Sequence, residues 1–139
     1  MPENARKGDG RTSVVRDVGV LTVDDQAVFR SVARAVIGAT PGFHFAGQAS
    51  SGEEALAAVD RINPDLVLID VRMPGIGGVE AARRIAAAHP GTVVVLISIE
   101  GPDDLASDAS HCGAAALVRK QDFGPALLRR LWDTHGTAA

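Results

Sequence analysis

The sequence predicts a doubly wound α/β fold. From Val18 onward, short β-branched runs alternate with stretches of helical spacing. Most of the short runs are apolar at every position, as in parallel strands covered on both faces. Their C-terminal ends carry charged or hydroxyl side chains, and in open parallel sheets that rim is where ligand sites lie.

Five strands are expected, in the order "VGVLTV" (18–23), "FHFAGQA" (43–49), "LVLI" (66–69), "VVVLI" (93–97) and "AALV" (115–118). The first helix, 26–38, sets Val28, Val32 and Val36 on one stripe. The second, 52–62, pairs Leu56 with Val59, and Ser51 with Glu54 forms a capping-box pattern before it. The third, 78–88, turns Val79, Ala82, Ile85 and Ala86 inward. The fourth, 103–111, is weakly patterned, with Leu105 and Ala109. The fifth, 123–133, groups Phe123, Leu127, Leu131 and Trp132, with Asp122 as N-cap and Pro125 in the first turn. Alternating strands and helices imply right-handed βαβ crossovers.

The chain has 139 residues, enough for a single core. Residues 1–16 are polar and Gly- and charge-rich and read as a flexible tail. The domain is expected over 17–135, with a second short tail at 136–139. A net charge of -3 gives no reason to expect a nucleic-acid surface. No apolar run has the length of a membrane span, and no signal-peptide pattern is present. The lone cysteine, Cys112, fits a buried small hydrophobe and a reducing cytoplasm.

The strand ends converge chemically. Strand one ends in Asp24 and Asp25, strand three in Asp70, strand four in Ser98, and strand five in Arg119 and Lys120. Three carboxylates together repel and raise one another's pKa values. A divalent cation relieves that, and Mg²⁺ takes one or two carboxylates, waters and phosphate oxygens. One carboxylate, Asp70, is then left as a nucleophile for a phosphoryl donor. Lys120 and the metal would steady the transferring charge, and Ser98 would hydrogen-bond a phosphoryl oxygen.

The stretches "LTVDDQ", "LVLIDVRMPGIGG", "VLIS" and "LVRK" resemble the four signatures of the response-regulator receiver domain of two-component signalling, over residues 18–134. The resemblance implies a flavodoxin-like sheet of order 2-1-3-4-5 with five helices. It implies Asp70 as phospho-acceptor, Ser98 as switch hydroxyl and Lys120 as the invariant lysine. Mg²⁺ would be held by Asp24, Asp25, Asp70 and the backbone carbonyl of Arg72. It further implies a sensor histidine kinase as partner and a cytoplasmic, monomeric or weakly dimeric protein that binds neither membrane nor nucleic acid directly. The face of helix four, strand five and helix five would meet partners, with helix four the least stable. "DDQAVFR" looks like the subfamily that usually carries a helix-turn-helix output module, which is absent from this sequence.

Several positions depart from the family pattern. Ile99 stands where a small residue is usual, and Leu117 where an aromatic is usual. Gln121 replaces the usual proline after the lysine, so a trans bond is expected there, a cis one costing about 2.5–4 kcal/mol. Arg72 and Glu100 flank the site and are expected to pair across its mouth, slowing loss of the phosphoryl group.

Singly, each site residue has a plainer reading. Asp24 or Asp25 would serve as an N-cap, Asp70 as a solvated strand end, Lys120 and Ser98 as surface residues. Jointly these readings are poor. His44, His89, His111 and His135 have no metal-ligand spacing and read as structural or solvent-facing. Two other functions compete. One is a degenerate receiver that acts as a phosphorylation-independent interaction module. The other is a Mg²⁺-dependent aspartyl-phosphate hydrolase of the haloacid-dehalogenase type. The hydrolase needs an acid two residues after the nucleophile, where this chain has Arg72.

Overall fold

A computed structural model describes residues 17–99 and 112–136. Five parallel strands form one sheet in the order 2-1-3-4-5. They are β1 (Val18–Val23), β2 (Phe43–Ala49), β3 (Leu66–Asp70), β4 (Val93–Ser98) and β5 (Ala116–Arg119). Four helices are seen among the described residues: α1 (Ala27–Gly38), α2 (Gly52–Ile62), α3 (Gly77–Ala88) and α4 (Pro125–His135). The helix expected at 103–111, and with it the stability expected of that segment, lies outside the described residues, as do Glu100, His111, the tail expected at 1–16 and all but Gly136 of the tail expected at 136–139.

β1, β3 and β4 are buried at every position, as their unbroken apolar runs require. Alternate residues feed two cores. Leu21, Val23, Val67, Ile69, Val94 and Leu96 face α2 and α3, with Cys112 buried among them. Val20, Leu66, Leu68, Val95 and Ile97 face the other way, onto Ile37 of α1 and Leu128 and Leu131 of α4. At about 25 cal/mol per Å², each such side chain contributes about 1.5–3 kcal/mol.

The Ser51 hydroxyl caps α2, accepting from the Glu54 N–H at 3.1 Å. No cis peptide occurs among the described residues, so the Lys120–Gln121 bond is trans. Two sequence expectations need correction. α1 buries Ala33 and Ile37 and half-buries Phe29 and Val36, while Val28 and Val32 face outward, 77% and 45% exposed. The segment is apolar round most of its circumference, so two stripes compete, and the sheet takes the one with Ile37. Asp122 is not an N-cap: it closes a 3-10 turn, Lys120–Asp122, and α4 begins after Gly124 with Pro125 in its first turn. Proline's fixed φ and missing N–H suit that first position, so it sets the helix start.

Candidate functional site

Parallel register brings the strand ends to one rim, because Asp70 pairs with Ile97 and Ser98 with Arg119 across β3, β4 and β5. Asp24 continues β1, its N–H donating to the Ala49 carbonyl at 3.1 Å. One oxygen of each carboxylate of Asp24, Asp25 and Asp70 lies within 4.8 Å of the others. Asp24, Asp70 and Ser98 are buried, and Asp25 is exposed.

Each oxygen of Asp24 has its own task. Oδ1 accepts the Gln26 N–H at 2.8 Å, which shapes the turn into α1. Oδ2 is buried and pairs with the Lys120 ammonium at 2.7 Å. The N-cap of α1 is Gln26, with no side chain capping the helix, so Asp24 shapes the turn before α1 and neither Asp24 nor Asp25 is its N-cap. Lys120 also reaches Asp70 Oδ2 at 3.5 Å. Asp70 Oδ1 accepts the Arg72 N–H at 3.3 Å.

Burial, then the neighbouring Asp24 carboxylate, pushes the Asp70 carboxyl up from 3.8 to about 6; Lys120 and the Arg72 N–H pull the other way. One ammonium does not offset three carboxylates. The donor set is all hard oxygen, three carboxylates against one ammonium, and it fits a small divalent cation such as Mg²⁺.

A cavity of about 430 Å³ opens over the rim, lined by Asp25, Asp70, Ser98, Lys120, Arg72 and Ile99 together with α1 residues. Ile99 stands at its mouth, 70% exposed. Arg72 is exposed beside it, and the Arg72–Glu100 pairing involves a residue outside the described ones. Leu117 is half-buried against the α2/α3 core and does not line the cavity.

Two contributors escaped the sequence reading. Arg30 donates from Nη1 to the Asp24 carbonyl at 2.7 Å, holding the acidic turn from α1. Phe29 lies under the Lys120 ammonium, 4.7 Å from ring centroid to Nζ. The only available signal was spacing: both follow the acidic pair by about one helical turn. Among the described residues, His44, His89 and His135 do not line the cavity; His89 Nε2 meets Asp60 at 2.8 Å and His44 is exposed. No described helix is long and apolar enough to cross a membrane.

A five-stranded parallel sheet of this order, with acidic, hydroxyl and ammonium groups on one rim, defines a receiver-like α/β domain. The chain belongs to the response regulator receiver domain family, whose model matches residues 20–131. It is 38% identical over 103 residues to the response regulator GacA of Pseudomonas viridiflava, covering 74% of this chain and 48% of that protein. It is 41% identical over 110 residues to protein-glutamate methylesterase/protein-glutamine glutaminase 4 of Geobacter metallireducens, covering 77% of this chain and 32% of that one. The chain thus spans about half or less of the curated relatives it matches. Among solved structures, the signal receiver domain of the putative response regulator NarL from Mycobacterium tuberculosis superposes with a TM-score of 0.78 at 27% identity, over 86% of this chain and 96% of that one.

Proposed function

We propose that this receiver accepts a phosphoryl group on Asp70 from a phosphohistidine of a sensor histidine kinase, in the cytoplasm, and passes the signal on as a monomer or weak dimer. The observation that carries this is the buried Asp70 carboxylate beside two further carboxylates and one ammonium. A carboxylate oxygen of Asp70 attacks phosphorus, the P–N bond to the donor imidazole breaks, and the imidazole nitrogen keeps the electron pair and takes up a proton. Lys120 meets a phosphoryl oxygen with its ammonium, and Ser98 donates its hydroxyl to another. Asp24, Asp25, Asp70 and the Arg72 carbonyl would hold Mg²⁺, which when bound neutralises the clustered charge. The domain is regulatory, with slow self-dephosphorylation as its only turnover. Hydrolase chemistry has no acid at Arg72 to serve it.

The phosphorylation-independent reading rests on Leu117, a packed aliphatic where an aromatic switch would stand. Intact mass after incubation with phosphoramidate and Mg²⁺ separates the two. One phosphoryl group should add, and none after chelation. An unchanged mass with Mg²⁺ present favours the interaction module.

Asp25→Ala should weaken Mg²⁺ binding by about tenfold or more, read by titration calorimetry, because so few side chains serve the ion. Undiminished affinity would move the site elsewhere. Ile99 narrows the approach to Asp70, so Ile99→Ala should speed both phosphorylation by small donors and decay of the acyl phosphate, by about two- to tenfold. Equal decay in both proteins would show that Ile99 does not gate the site.

A further inference from the structure

Lys120 approaches the carboxylates from the β5 side, on a long side chain with four rotatable bonds. Something must keep its ammonium over the rim rather than in solvent. Two contacts are ionic, to Asp24 Oδ2 at 2.7 Å and Asp70 Oδ2 at 3.5 Å. The third is the face of Phe29, 4.7 Å from the ammonium. Phe29 is itself fixed by Phe123, whose ring is tilted 52° to it with centroids 6.1 Å apart. Phe123 immediately follows the 3-10 turn that begins at Lys120, and its N–H donates to the Lys120 carbonyl at 3.2 Å. Phe29 stands on the first turn of α1, just after Asp24 and Asp25. The two rings therefore tie the loop bearing the ammonium to the helix following the acidic pair.

Resting on the phosphorylation reading above, we propose that Phe29 is a positioning residue for Lys120. Its π face holds the ammonium over Asp70, where a phosphoryl oxygen arrives. The negative face of an aromatic ring attracts a cation, most strongly when water is excluded, and the Lys120 side chain is only 13% exposed. The ring also keeps the ammonium from exchanging its carboxylate contacts for water when the carboxylates turn to a metal. A purely structural role would make any apolar side chain of similar volume equivalent.

The test compares Phe29→Leu, which keeps apolar bulk and removes the π face, with Phe29→Tyr, which keeps both. The rate of phosphorylation by phosphoramidate with Mg²⁺ should fall about tenfold in the leucine variant and stay within about twofold of wild type in the tyrosine variant. In the unphosphorylated protein, the Lys120 ε-methylene protons should be shifted upfield by the ring current in wild type and Phe29→Tyr, and not in Phe29→Leu. Should leucine pack poorly, Phe29→Met removes the π face with a more adaptable side chain. A folded leucine or methionine variant phosphorylated at the wild-type rate would overturn the proposal. So would unshifted Lys120 protons in wild type. If no protein is phosphorylated, the reading of the site fails on its own, and the ring-current shift still decides whether Phe29 holds the ammonium.

Discussion

Asp70→Asn is expected to melt several degrees above the wild type when Mg²⁺ is chelated and the pH is above about 7. The buried Asp70 carboxyl is raised from 3.8 to about 6, by burial first and by Asp24 second. The folded state therefore holds its proton more tightly than the unfolded chain does. Below the unfolded value the group is protonated in both states and costs nothing. As pH rises through the window from 3.8 to about 6, the folded protein loses stability, and above it the whole penalty is present. That gap corresponds to about 3 kcal/mol at most, and the loss of the Lys120 contact in the variant reduces the net gain to about 1–2 kcal/mol. The advantage should vanish near pH 4, the lower edge of the window at about 3.8. Mg²⁺ should narrow it, since the ion binds only the folded wild type with full affinity. Thermal melts across pH, with and without chelator, check this. A variant no more stable than wild type at neutral pH would mean that the three carboxylates are not in conflict.

Gly78→Ala is expected to be the most destabilising single methyl addition near the site. A Cβ at Gly78 would stand 1.9 Å from the Asp70 carbonyl oxygen and 3.0 Å from the Val71 Cα, both backbone atoms that cannot rotate away. The Gly78 N–H already donates to the Val71 carbonyl at 3.2 Å, so the start of α3 lies directly against the strand end that carries Asp70. Relief requires moving α3 or Asp70 itself. The expected cost is about 3 kcal/mol or more, with phosphorylation impaired in whatever remains folded. Urea unfolding measures it, with Gly91→Ala as the control, since a Cβ there meets nothing within 4 Å. Equal midpoints for the two variants would show that the close approach is not a constraint.

β1, β3 and β4 were legible almost to the residue, because short, largely apolar β-branched runs have few other fates in a chain of this length. β3 and β4 each extend one residue further than their apolar runs, through Asp70 and Ser98, so the site residues are the last rungs of the sheet. Sheet order came from the family resemblance and not from pattern alone. The inward face of α1 was not legible: Val28–Val32–Val36 and Phe29–Ala33–Ile37 are both helical stripes, and only packing against the sheet decides between them. The start of α4 was misplaced because an acidic residue before an apolar run looks like a cap, while Gly124 and Pro125 define the real boundary. The carboxylates, Ser98 and Lys120 were visible as residue types at strand ends. Their supports were not, since Arg30 reaches a backbone carbonyl and Phe29 acts with its ring face, and neither leaves a motif.

The central claim is that Asp70 forms an acyl phosphate, and chemical trapping tests it most directly. The protein is incubated with phosphoramidate and Mg²⁺, reduced with borohydride and digested. An aspartyl phosphate is reduced at its carbonyl carbon with loss of phosphate, leaving homoserine. Peptide mass spectrometry should find homoserine at position 70, and only when donor and Mg²⁺ were both present. Homoserine at Asp24 or Asp25, or a phosphorylated protein with position 70 unchanged, would contradict the account.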